Sequence, residues 1–112
     1  YAKMTKTEIT EQLRKSLSKY GWTVKTFNHY RANGRGFKDF PDHFLIHEAK
    51  GYFIFIEVKL KTTKQDKLTE GQAEYGRKLH MSCEANGKAM YILFPCVAYP
   101  DISQLTEHIL KL

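Results

Sequence analysis

The chain alternates between two hydrophobic periods, and the switch points divide it into seven elements. From Thr5 to Tyr20, Ile9, Leu13, Leu17 and Tyr20 recur at helical intervals. Thr5 and Glu8 stand at capping-box spacing and Gly21 follows as a stop, which predicts a first helix. Trp22 to Asn28 changes to the two-residue alternation of a strand. Asp42 to His47 reads as a second strand, Glu48 to Gly51 as a turn, and Tyr52 to Leu60 as a long aromatic and β-branched third strand. Thr69 and Gln72 repeat the capping-box spacing and open a second helix that runs to about Asn86 before Gly87. Ala89 to Phe94 is a fourth strand stopped by Pro95. Asp101 with Gln104 caps a last helix whose Ile102, Leu105, Ile109 and Leu112 share a face. The order α-β-β-β-α-β-α, without internal repeat or low-complexity tract, predicts one α/β domain over residues 1–112 around a mixed sheet flanked by helices.

On the third strand, Tyr52, Ile54, Ile56, Val58 and Leu60 point one way; Phe53, Phe55, Glu57, Lys59 and Lys61 point the other. Both faces are apolar at its start, so the strand is expected to be central in a sheet covered on both sides. On that reading its aromatic residues are core and not a platform for base stacking. A hairpin turning near Ala49 and Lys50 pairs positions that sum to about 99, which sets Asp42 beside Glu57. Glu57 and Lys59 share a face. Two carboxylates this close repel unless a cation lies between them, and oxygen ligation with room for water and phosphate suits Mg²⁺ or Mn²⁺. The site expected is a metal-dependent phosphodiesterase.

Charge sharpens this reading. Eighteen Lys and Arg against twelve Asp and Glu give a net charge of +6, which favours a polyanionic partner through counterion release. The most basic stretch, from His29 to Asp39, precedes the acidic strand and is either a phosphate clamp or a solvated loop. A Lys-rich linker follows the third strand. Length and composition exclude collagen-like, disordered and two-domain organisation. No apolar run is long enough to span a bilayer, so a soluble, intracellular, cytoplasmic protein is expected. Cys83 and Cys96 read as reduced thiols and not as a disulfide or zinc framework.

Several residues carry two readings. Glu8 is either the capping carboxylate of the first helix or a third acid reaching a metal, with Glu11 as the other candidate. Gln72 either completes its capping box or points into the site from the inward face of the second helix, in line with Gly76, Leu79 and Cys83. Glu48, Ala49 and Lys50 repeat Glu-x-Lys, but in a turn with no acid in register, and are read as a solvated loop. His43 and His47 share a strand face without Cys partners and are not read as a zinc site.

Together, Glu8 and Gln12, Pro41-Asp42, Ile56-Glu57-Val58-Lys59, the Lys-rich linker and Lys67-Leu68-Thr69-Glu70-Gly71-Gln72 form a linked series. That series resembles the PD-(D/E)xK nuclease superfamily. It is most similar to its VRR-type (virus-type replication-repair) nuclease domains, with archaeal Holliday junction resolvases as near relatives. It departs from them in carrying Asp39 where a Gly usually stands two residues before the Pro. The resemblance implies a restriction-endonuclease-like fold and Mg²⁺-dependent hydrolysis of DNA phosphodiesters, with Mn²⁺ able to substitute. It implies that Asp42, Glu57 and the backbone carbonyl of Val58 hold the metal and that Lys59 orients the nucleophile and stabilises transition-state charge. Gln72 would position Lys59 or water, and Glu8 would be an outer acid. Arg31, Arg35, Lys38, Lys61, Lys64 and Lys67 would meet backbone phosphates. Stand-alone members of the family are often homodimers, and the stripe Ile102, Leu105, Ile109 and Leu112 either supplies such an interface or covers the sheet within one subunit. A non-catalytic nucleic-acid-binding module on a degenerate nuclease fold is the alternative function.

Overall fold

A computed structural model describes residues 4–27, 39–60 and 68–112. Helix α1 (Lys6–Leu17) starts at the Thr5 capping box and buries Ile9, Leu13 and Leu17 along one stripe. It tightens into a 3₁₀ turn over Ser18–Tyr20 and stops at Gly21, whose φ of +94° is the left-handed conformation that a side chain resists. Strand β1 (Trp22–Thr26) turns Trp22 and Val24 inward. Strands β2 (His43–His47) and β3 (Tyr52–Val58) form the expected hairpin. Helix α2 (Glu70–Glu84) carries the chain to β4 (Ala89–Phe94), and α3 (Ile102–Leu110) follows the Asp101 cap.

The sheet is mixed, with spatial order β1-β2-β3-β4. The first two pairings are antiparallel, and β3 pairs with β4 in parallel, as a crossover through a helix requires. His43 faces Ile56 and Phe44 faces Phe55, so the pairs sum to 99 as the turn position predicted. Strand β2 begins one residue later than expected. The reason lies in Asp42, whose carboxylate Oδ2 accepts the Val58 N–H at 2.8 Å while its carbonyl accepts the Phe27 N–H at 2.9 Å. Residue 42 therefore grips both neighbouring strands from just outside the ladder.

One sheet face carries the core. Val24, Leu45, Ile54, Ile56, Val58, Ile92 and Phe94 pack there against Ile9, Leu13 and Leu17 of α1 and Ile102, Leu105 and Ile109 of α3. At roughly 25 cal/mol per Å² of apolar area removed from water, each such side chain contributes about 1.5–3 kcal/mol against the entropy of ordering the chain. The α3 stripe is consumed here, with Leu112 packed against the same cluster, so it covers the sheet within the chain and is not an open dimer interface.

The other face is only partly covered, which corrects the expectation of a sheet buried on both sides. Helix α2 lies over β4, and Gly76 makes the approach close: a Cβ there would stand 2.6 Å from the Tyr91 hydroxyl. Farther across the sheet, Phe44 and Phe55 are half-buried and Phe53 is 50% exposed. The alternation assigned these aromatics to their face correctly, but where α2 lands decides how much of that face is closed.

No helix among the described residues is long and apolar enough to cross a membrane. Both cysteines are free thiols, as expected, with Cys83 buried.

Candidate active site

Asp42 follows the buried Pro41 at the entry to β2, and Glu57 stands in register beside it near the end of β3. Because strand side chains alternate, residue 57 lies on the face of Phe53 and Phe55, whereas Val58 is fully buried in the core behind it. Val58 can therefore face the acid pair only through its backbone. Glu57 is 1% exposed, and its Oε2 has no hydrogen-bond partner among the described residues. Leaving a charged oxygen there without a partner is costly, so the carboxyl keeps its proton more readily than in water.

Burial is the leading cause of that shift. The hydrogen bond with Asp42 and the Asp42 charge add to it, and together they push Glu57 up to about 8. The Lys59 and Lys6 ammonium groups act in the opposite direction. Near neutral pH the two acids thus share a proton instead of carrying two full charges. A divalent cation is the other way to relieve the same repulsion, and the partnerless buried oxygen of Glu57 fits that role. No third His, Cys, Asp or Glu joins the pair among the described residues.

Lys59 follows β3, and its N–H bonds to the Phe94 carbonyl at 2.8 Å, which fixes the backbone from which the side chain leaves. Its effect on Glu57 bears out the convergence that the Glu-x-Lys spacing predicts. Two further residues bear on the pair that sequence reasoning missed. Lys6, at the start of α1, acts electrostatically on both Glu57 and His43. Tyr91 on β4 is pushed up to about 12, chiefly by burial and then by the Glu57 and Asp42 charges. Its signal was the parallel register that sets Tyr91 opposite Phe55.

Glu8 and Gln72 are used differently from the catalytic reading. Glu8 is exposed and its Oε1 accepts the Thr5 N–H at 2.8 Å. The Gln72 Oε1 accepts the Thr69 N–H at 3.0 Å. Of the two roles open for each, the structure shows the helix cap. Glu11 is exposed, and Glu48 and Lys50 lie in the exposed hairpin turn as expected. Arg31, Arg35, Lys38, Lys61, Lys64 and Lys67 all lie outside the described residues.

The two strand histidines are structural. The His47 ring bonds to the Tyr20 carbonyl at 3.0 Å and accepts the Lys50 N–H at 3.2 Å. The Thr10 hydroxyl donates to the Lys6 carbonyl and so receives the His43 Nε2 proton, at 2.8 Å. The buried His43 is held neutral, lowered to about 4 by desolvation against the opposing pull of Asp42.

Compared with family models, with curated proteins and with solved structures, the chain matches none.

Proposed function

We propose that this chain is a metal-dependent DNA endonuclease with a restriction-endonuclease-like fold. The observation that carries the reading is the buried Glu57 carboxyl, with one oxygen lacking a partner, set beside Asp42 with the Lys59 charge at hand. The element order and the mixed sheet support the fold, and the net charge of +6 supports a nucleic-acid substrate. An intracellular, cytoplasmic setting suits DNA and two free thiols.

Asp42 and Glu57 would hold Mg²⁺ or Mn²⁺, with the Val58 carbonyl as a third oxygen. When bound, the ion supplies Lewis-acid chemistry, lowering the pKa of water and offsetting charge on the transferring phosphate. Asp42 is held for this task by its bond from the Val58 N–H, which leaves it little rotational freedom to lose on binding. Glu57 gives up its proton as the ion enters. Lys59 lies on the same face and stabilises the negative charge that grows on the phosphate oxygens. The basic residues of 31–38 and 61–67 would neutralise phosphates flanking the cut.

A non-catalytic binding module is the second reading. It is favoured by the same shared proton, because a pair carrying one charge repels a phosphate less than a pair carrying two.

The test is to incubate the chain, Glu57→Ala and Lys59→Ala with supercoiled plasmid, linear duplex, single strands and a four-way junction, each with Mg²⁺, with Mn²⁺ and with chelator. Metal-dependent cleavage lost in both variants is expected, and the substrate ranking then separates a junction-selective enzyme from a nicking one. Salt-sensitive binding without cleavage would replace the nuclease by the binding module.

A further inference from the structure

The sheet face that holds the acid pair continues into a row of aromatic rings. Phe55 lies one same-face step along β3 from Glu57, and Phe53 lies two. Across the hairpin, Phe44 stacks on both, with ring centroids 4.9 Å from Phe55 and 6.1 Å from Phe53 and ring planes 27° and 17° apart. Phe40 closes over the Phe55 end with an edge contact at 5.8 Å. The Phe53 end stays open, its ring half exposed with Phe44 behind it. An aromatic ring loses favourable burial when left in water, so a half-exposed ring backed by a parallel one is a surface prepared for a flat apolar ligand.

Charge around the strip narrows the class of ligand. Lys25, opposite Phe44 in the ladder, is exposed on the same face. At the hairpin end Lys88 reaches the Lys50 carbonyl at 3.0 Å, next to the residue that pairs with Phe53, and both lysines are exposed. At the opposite end the strip reaches Asp42, Glu57 and Lys59. A ligand following it meets cations and flat rings before it meets the acid pair, which is the complement of a polyanion carrying π faces. Same-face strand residues are about 7 Å apart. That is roughly twice the 3.4 Å rise per nucleotide in a duplex, so the bases able to lie here are unpaired and drawn out.

We propose that the Phe53 and Phe44 rings form a stacking platform for unpaired bases, which directs a single-stranded segment of DNA toward the acid pair. The identification of the strand as DNA substrate rests on the nuclease reading; the stacking itself does not. Phe53 stands about 14 Å along the strand from Glu57, so the stacked base lies about two extended nucleotides from the phosphate at the acids.

The test compares, in chelator, the affinity of the full chain for a labelled oligothymidylate and for an abasic oligomer of equal length and charge, read by fluorescence anisotropy. The thymidylate is expected to bind about tenfold more tightly. Phe53→Ala and Phe53→Leu should both remove that advantage without changing abasic binding, and Phe53→Trp should restore it. Half exposure of the ring keeps these variants folded, and thermal melts check this. Equal affinity for the two oligomers overturns the proposal, as does full retention of the advantage in Phe53→Leu. A wild-type mass of two copies that falls to one in Phe53→Ala also overturns it and assigns the face to a second copy. Mg²⁺-dependent plasmid nicking scores the nuclease reading separately. Nicking without base-dependent binding removes the platform alone, and base-dependent binding without nicking removes the nuclease alone.

Discussion

Replacing Glu57 by Gln should change how stability depends on pH, because the folded chain holds the Glu57 proton far above the ordinary carboxyl range. Glu57 is raised from 4.5 to about 8, so it contributes stability that is complete below pH 4.5 and is lost as pH rises through about 8. His43 is lowered from 6.5 to about 4 and acts in the opposite sense. Its contribution is present above 6.5 and is lost as pH falls toward 4. Between pH 4.5 and 6.5 the two slopes oppose and largely cancel, whereas from 6.5 to 8 Glu57 acts alone. One proton of difference is worth about 1.4 kcal/mol per pH unit, so wild-type stability should fall by up to about 2 kcal/mol across that upper window. In Glu57→Gln the fall disappears, and the rise due to His43 emerges at lower pH. Urea unfolding in chelator at a series of pH values, followed by fluorescence of the buried Trp22, gives both curves. Their difference isolates residue 57, since every other group is common to both. A difference curve that is flat from pH 6.5 to 8 would refute the assignment of a shared proton.

Other consequences are checked by the same unfolding assay unless stated. Thr10→Val removes the acceptor of the buried His43 N–H and should cost about 1–3 kcal/mol, a loss absent in Thr10→Ser. Gly76→Ala would place a methyl 2.6 Å from the Tyr91 hydroxyl and force α2 off β4, costing about 1–3 kcal/mol. Thr69→Ala breaks both halves of the α2 capping box for about 1 kcal/mol, while Gln72→Glu keeps the box and should leave stability nearly unchanged. Added Mg²⁺ should raise the melting temperature of the wild type and leave Asp42→Asn unmoved, as differential scanning fluorimetry would record.

The elements that were legible in the sequence are those fixed by local chemistry. Thr5 with Glu8 and Thr69 with Gln72 marked both helix starts, and Gly51, at φ +72°, closed a hairpin whose register followed from its turn. That register brought Asp42 to Glu57 before any coordinates were needed. Two kinds of information were not local. Alternation along β3 told which residues share a face but not which face α2 covers, so Phe53 was taken for core and is half exposed. Spacing left Glu8 and Gln72 equally suited to cap or site, and the capping hydrogen bonds are what distinguish them. Lys6 and Tyr91 were invisible for a related reason: each reaches the acids from another element, α1 in one case and a parallel neighbour strand in the other.

The account rests on Asp42 and Glu57 being a divalent-cation site, and Mn²⁺ titration followed by electron paramagnetic resonance addresses this most directly. The chain should take up one ion more tightly at pH 8 than at pH 6, because the ion must displace the Glu57 proton, and Asp42→Asn and Glu57→Gln should each abolish uptake. Binding that persists in both variants, or no binding at either pH, would contradict the claim.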